Sequence, residues 1–81
     1  MKADTHMLWF EENTNATPLQ AAVNAGRYFH KKYGLVPKLL ALPQSWADAA
    51  QTIEQELALE VVVDKTVLAH HVAVSAENNR R

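Results

Sequence analysis

The sequence contains no cysteine, so neither disulfide bonds nor zinc–thiolate sites can stabilise its fold. Its two glycines do not form the glycine-rich loops that hold phosphates in dinucleotide-binding and P-loop folds. The apolar runs are far shorter than the roughly 20 residues of a membrane span, and residues 1–10 lack the apolar stretch of a secretion signal. We therefore expect a cytoplasmic protein with no membrane partner.

The short length limits the core that this chain can build. The 81 residues provide room for one domain, and a chain of this size buries only about 60% of the surface that its unfolded form exposes. The 48% hydrophobic content must supply the core, alone or with the help of a partner subunit. We place the domain at residues 7–76, after a disordered segment 1–6 and before a polar tail 77–81.

The first third of the domain predicts a strand followed by a helix. The apolar and aromatic segment MLWF indicates a strand over residues 7–10. Apolar residues then recur at helical spacing and predict a helix over residues 18–33. Thr17 is a suitable N-cap, Pro18 suits the first helical position, and Gly34 stands where a left-handed residue ends a helix.

The middle of the sequence predicts a second strand and a second helix. LLAL (39–42) is apolar at consecutive positions, which is typical of a strand that is buried on both faces, and Pro37 and Pro43 bound it. A helix over about 46–57 follows, with Ser45 as its expected N-cap. Its predicted apolar stripe consists of Trp46, Ala49, Ala50, Ile53 and Leu57.

Two β-branched segments at the end of the domain predict two more strands, over residues 59–64 and about 70–75. Their connection is a tight turn at Asp64-Lys65 or a longer loop, and the lack of glycine favours the loop. Because this connection is short, the last strand should run antiparallel, and we expect it to be an edge strand that is open to pairing. The resulting fold class is α/β (α+β), a two-layer β-α-β-α-β-β domain with a mixed four-stranded sheet.

This element order resembles that of several small domains. They include archaeal chromatin proteins of the Alba type, the C-terminal domain of the third bacterial initiation factor and small sulfur-carrier proteins. The strongly basic face of the first two is absent from this sequence, and so is the Cys-Pro element of the third. The resemblance therefore concerns the order of the elements and implies no function.

The charges are segregated along the chain, although the formal net charge is only −1. Residues 27–38 contain the cations Arg27, Lys31, Lys32 and Lys38 and no acidic residue. Residues 48–64 contain the acids Asp48, Glu54, Glu56, Glu60 and Asp64 and no basic residue. The favoured explanation is that the cations offset the negative end of the first helix. Alternatively, they bind an anion or a nucleic acid, with Tyr28 or Tyr33 stacking on a base, or meet the acidic segment of a second copy.

Few residues suggest chemistry. Glu11, Glu12 and Asn13 follow the first strand, at the end of a strand where ligands of α/β sheets tend to bind, and they are the candidate ligand site. His70 and His71 would point to opposite faces of a strand, and the four histidines lack the spacing of a metal site. We therefore predict no metal and no cofactor, and assign no catalytic residue.

The sequence thus favours a non-catalytic protein-interaction or scaffold module that forms a homo-oligomer, most simply a homodimer. The first alternative is a nucleic-acid-binding module that uses the basic segment 27–38. The second, less favoured, is a small ligand-binding protein or enzyme with its site near Glu11, Glu12 and Asn13. A second copy or another protein is the expected partner.

Overall fold

The computed structural model describes residues 6–76, which form a four-stranded sheet and two α-helices. In chain order the elements are β1 (His6–Phe10), α1 (Pro18–Tyr33), β2 (Leu39–Leu42), a 3₁₀-helix (Gln44–Ala49), α2 (Ala50–Leu57), β3 (Glu60–Val63) and β4 (His71–Ser75). The predicted α+β class and element order are confirmed. Of the predicted terminal segments, residues 1–5 and 77–81 lie outside the described residues, whereas His6 already belongs to β1.

Helix α1 begins and ends where the sequence predicts. The Thr17 hydroxyl accepts a hydrogen bond from the backbone N–H of Gln20 at 3.1 Å, which is the N-cap interaction. At the other end Gly34 is left-handed, with φ 71°, and its N–H donates to the carbonyl oxygen of His30. Within residues 6–76, neither α1 nor any other helix is long and apolar enough to cross a membrane.

The sheet has the strand order β1-β4-β2-β3. Strand β4 runs antiparallel to both β1 and β2, and β2 and β3 are parallel. The predicted antiparallel direction of the last strand is confirmed, but the expectation that it is an edge strand is wrong. Strand β4 lies between β1 and β2 and pairs with both of them. The edge strands of this sheet are β1 and β3.

The core lies between one face of the sheet and the two helices. Three buried alanines of α1, Ala21, Ala22 and Ala25, allow the helix backbone to approach the sheet closely, and Phe29 fills the space beside them. The other buried apolar residues are Leu40, Leu42, Ile53, Val61, Val72 and Val74. A single layer of side chains therefore holds the domain together.

The second helix differs from its prediction at the N-terminal end. Residues 44–49 form a 3₁₀-helix in which the N–H of Trp46 donates to the carbonyl oxygen of Pro43 at 2.9 Å, and α2 begins only at Ala50. Ser45 lies inside this 3₁₀-helix and makes no capping bond, so its expected role is wrong. A 3₁₀-helix has three residues per turn and is tighter than an α-helix, so it lets the chain turn directly after the buried Pro43. The predicted apolar stripe is confirmed, since its five members belong to or pack against the core.

The connection from β3 to β4 is the longer loop. Asp64 stabilises its start because its carboxylate accepts hydrogen bonds from the N–H and the hydroxyl of Thr66, at 2.9 and 2.7 Å. These two bonds lower the pKa of Asp64. The loop ends at His70, whose φ of 64° turns the chain into β4. It carries the chain from β3 past the end of β2, so that β4 can enter the sheet between β1 and β2.

Candidate functional site

Among residues 6–76, the sheet face opposite the helices is open and largely apolar. Side chains alternate along each strand, so the buried Leu40, Val72 and Val74 have neighbours that point to the other face. The pairing register aligns one apolar row across all four strands, consisting of Leu8, Ala73, Ala41 and Val62. Leu8 is 59% exposed and Val62 38% exposed, and Phe10, on the same face, is 54% exposed. We call this surface the open sheet face.

Strand β2 shows most clearly that this face is uncovered. Its sequence predicts burial on both sides, yet only Leu40 and Leu42 are buried, whereas Leu39 and Ala41 are partly exposed. The expectation of two-sided burial is therefore wrong for the single chain. Both helices lie on the same side of the sheet, so the described residues provide no second layer for the apolar side chains of the other face.

The open sheet face carries almost no charge. Strands β1, β2 and β4 contain no lysine, arginine, aspartate or glutamate, and β3 contains only Glu60. The polar side chains on this face are those of His6, His71, Ser75 and Glu60, which alternation places around the apolar row. Apart from Glu60, the segregated charges of the sequence therefore lie elsewhere on the molecule.

The structure separates the four cations of the basic segment. Arg27 and Lys31, one helical turn apart on α1, line a pocket with Trp9 and Tyr28, whose rings are 5.3 Å apart. The Nζ of Lys32 instead lies 5.3 Å from the centre of the Tyr33 ring. Lys38 immediately precedes β2, where its backbone bonds to Ser75 and Glu60. Of the predicted anion-binding set, Arg27 and Lys31 thus share one surface.

A groove of about 650 Å³ lies on the other side of the same two cations. Its basic side chains, Arg27, His30 and Lys31, all belong to α1. The rest of its lining is apolar and comes from α1, the segment after Gly34 and the end of α2. No local pattern in the sequence indicates this groove, because the segments that form it are brought together only by the fold.

The predicted ligand site at Glu11, Glu12 and Asn13 lines a pocket of about 730 Å³ with three aromatic residues, Trp9, Phe10 and Tyr28. Glu12 and Asn13 are exposed, whereas Glu11 is buried.

The carboxylate of Glu11 is the centre of a hydrogen-bond network. It accepts bonds from Trp9 Nε1 at 3.1 Å, Asn24 Nδ2 at 3.2 Å and the backbone N–H of Asn13 at 3.2 Å. The bonds from Trp9 and Asn24 lower the pKa of Glu11, the Asn13 bond adds to this effect, and burial opposes it. A carboxylate that is ionised and already bonded to three donors is better suited to holding β1 against α1 than to accepting a substrate proton.

The adjacent histidines have different environments. His70 is edge-on to the Trp46 ring at 5.7 Å, and its buried Nδ1 has no hydrogen-bond partner among the described residues. The Nδ1 of His71 lies 2.9 Å from the carbonyl oxygen of Ala69, and its ring contacts Phe10. Across residues 6–76, no three histidine, aspartate or glutamate side chains lie close enough together to hold a metal ion.

Together these features define a small two-layer α+β domain with one uncovered sheet face and a basic, apolar groove in its helical layer. No protein-family model, curated protein or solved structure matches the chain.

Proposed function

We propose that this chain is a non-catalytic association module whose open sheet face packs against the same face of a second copy. The observation that supports the proposal is the apolar row Leu8, Ala73, Ala41 and Val62, which crosses all four strands and has no covering layer in the described part of the chain. Exposed contiguous apolar surface of this kind is typical of interaction sites. A cytoplasmic location remains a prediction from the sequence.

A second copy suits this face because the face is nearly neutral. Two identical, highly charged surfaces would repel each other. Two copies of this face, each with only the charge of Glu60, can meet without a large electrostatic penalty. A two-fold axis parallel to the strands would place Leu8 of each copy over Val62 of the other. The alanines at the centre of the row leave space for larger side chains from the opposing sheet, as in packed sheet pairs about 10 Å apart.

The size of the face indicates a weak dimer that forms with increasing concentration. The four strands are spaced at about 4.8 Å and are four or five residues long, at about 3.3 Å per residue, which gives a planar footprint of roughly 300 Å² per copy. That footprint, about 600 Å² for both copies, is below the roughly 1,000 Å² of stable specific interfaces, so we expect a weak dimer with a dissociation constant of roughly 100 μM.

Light scattering over a range of concentrations, at low and high salt, tests the proposal. We expect a dimer that forms with increasing concentration and persists at high salt, because its contacts are apolar. Leu8→Lys should shift the protein to monomer. Leu68→Lys is the matched control, since Leu68 is 67% exposed but lies in the loop between β3 and β4.

Three outcomes would contradict the proposal. The first is a monomer at every concentration, and the second is a dimer that Leu8→Lys does not weaken. The third is a dimer that dissociates in salt, which would indicate that the basic and acidic segments of two copies meet instead.

Nucleic-acid binding is the second candidate function. It is favoured by the position of Arg27 and Lys31 beside the ring pair of Trp9 and Tyr28, where a base could stack. The net charge of −1 and the separate positions of Lys32 and Lys38 weaken it. Fluorescence anisotropy with a single-stranded oligonucleotide tests it, and binding should fall steeply with salt and with Arg27→Ala and Lys31→Ala.

A further inference from the structure

We propose that the groove between α1 and the end of α2 binds an anionic amphiphile, a carboxylate with an alkyl chain. This inference concerns the helical layer and does not depend on the dimer proposed for the open sheet face. The two surfaces share no residue, because the groove is lined by residues outside the four strands.

The groove is formed by small residues and a tight chain reversal. Pro37 packs against α1 at Gly26, where a Cβ on the glycine would lie 3.6 Å from the Pro37 Cγ, an ordinary contact distance. Gly34 turns the chain back along the helix, and the His30 Nδ1 lies 3.2 Å from the carbonyl oxygen of Leu35. The Gly34 cap and the contact between His30 and Leu35 hold this segment beside α1, so contacts within the chain form the groove.

The lining combines an apolar surface with charge of one sign. Eight of its eleven residues are apolar or glycine, the other three are Arg27, His30 and Lys31, and none is acidic. Arg27 and Lys31 are four residues apart, so both side chains can reach one anionic head group. The volume of about 650 Å³ falls within the range of small-molecule sites.

The apolar lining distinguishes an amphiphile from other anions. Val36 is 64% exposed at the groove, and Leu57 and Leu59 contribute to the opposite side. Burial of an alkyl chain there removes apolar surface of both ligand and protein from water, which should strengthen binding by roughly fourfold for each CH₂ group. A phosphate or a short carboxylate would gain only the interaction with the cations, which is weak at an exposed site.

Titration of the protein with decanoate, below the concentration at which it forms micelles, tests the inference by two-dimensional NMR. We expect saturable shifts of the amide resonances of Gly26, Val36 and Ala58. Acetate, which has the head group without the chain, should not cause them at the same concentration. The oligomeric state is measured in the same samples by light scattering.

Two sets of variants separate the apolar from the charged contribution. Val36→Asp and the double change Arg27→Gln with Lys31→Gln should each weaken decanoate binding by about tenfold or more. All three side chains are exposed, so these variants should keep the far-UV circular dichroism spectrum of the parent. Leu68→Asp and Lys65→Gln are the matched controls outside the groove, and they should bind decanoate normally.

The inference is overturned if decanoate shifts the resonances of the open sheet face instead of the groove, or if the groove variants bind decanoate as the parent does. Binding of an oligonucleotide that needs Arg27 and Lys31, with no decanoate binding, would also overturn it and favour the nucleic-acid function. If Leu8→Lys is monomeric but still binds decanoate, the result would support the dimer and the groove as separate proposals.

Discussion

At the scale of single residues, two helices end in the same backbone conformation with different residues. Gly34 after α1 has φ 71° and Ala58 after α2 has φ 56°. Both N–H groups donate to a carbonyl oxygen four residues earlier. Glycine adopts this left-handed conformation freely, whereas the Cβ of alanine makes it unfavourable. The two positions therefore offer opposite tests of one physical effect.

We expect Ala58→Gly to raise the free energy of unfolding by about 0.5–1 kcal/mol, and Gly34→Ala to lower it by about 1 kcal/mol. A Cβ at Gly34 would meet no atom within 4 Å, so the second effect comes from the backbone alone. Urea unfolding followed by tryptophan fluorescence measures both. Two changes of the same sign would contradict this account of the helix ends.

The stability of the fold should depend on pH through Glu11. Its folded pKa is lowered by the bonds from Trp9, Asn24 and Asn13, so its ionised form stabilises the fold. This stabilisation is fully present above the unfolded pKa of about 4.3 and is lost as the pH falls through the lower folded pKa.

Glu11→Gln should therefore lower the free energy of unfolding at pH 7 by about 1–2 kcal/mol, because an amide cannot accept all three bonds as the carboxylate does. The difference from the parent should shrink when unfolding is measured at pH 3. Glu12→Gln, at the exposed neighbouring position, is the control and should change stability by less than about 0.5 kcal/mol. An equal loss at both pH values would show that the charge of Glu11 is unimportant.

At the scale of the elements, the position of β4 decides which parts of the sheet can meet another chain. An edge strand has unpaired backbone groups that can bond to a partner, whereas an inner strand uses its groups on both sides. Because β4 lies between β1 and β2, a proline in it removes a bond of the sheet itself.

Val72→Pro should therefore destabilise the domain by more than about 3 kcal/mol and unfold much of it. Val63→Pro is the control on the edge strand β3. The N–H groups of Glu60 and Asp64 donate to Lys38 and Leu42, so alternation directs the Val63 N–H away from β2. Val63→Pro should cost about 1 kcal/mol. Circular dichroism during thermal unfolding compares the two, and equal losses would contradict the strand order.

At the scale of the whole molecule, one core layer supports a sheet whose second face is left uncovered by residues 6–76. A domain of 81 residues has a small margin of stability, of the order of 4–12 kcal/mol by the usual value per residue. Dimerisation through the open sheet face would add to this margin, because only the folded chain presents the face.

The midpoint of thermal unfolding should therefore rise with protein concentration, by a few degrees between about 5 and 500 μM. The Leu8→Lys variant should lose this dependence, whereas Leu68→Lys should retain it. Differential scanning calorimetry at several concentrations measures the effect. A midpoint that is independent of concentration in the parent protein would contradict the association proposed here.

The sequence by itself determined the features that depend on neighbouring residues. Thr17, Pro18 and Gly34 specify the ends of α1 through contacts within one helical turn, and helical spacing alone places Arg27 beside Lys31. The same local signals predicted the apolar stripe of α2. At Ser45 these signals predicted a helix cap wrongly, because the chain forms a 3₁₀-helix directly after the buried Pro43 and Ser45 lies inside it.

Only the tertiary structure decided the strand order, the uncovered sheet face and the groove. Each depends on contacts between segments that are distant along the chain, such as the pairing of β1 with β4, and local propensity carries no information about such partners. Strand β2 is the clearest case. Its sequence predicts burial on both faces, but which face lacks a cover depends on how the two helices cross the sheet.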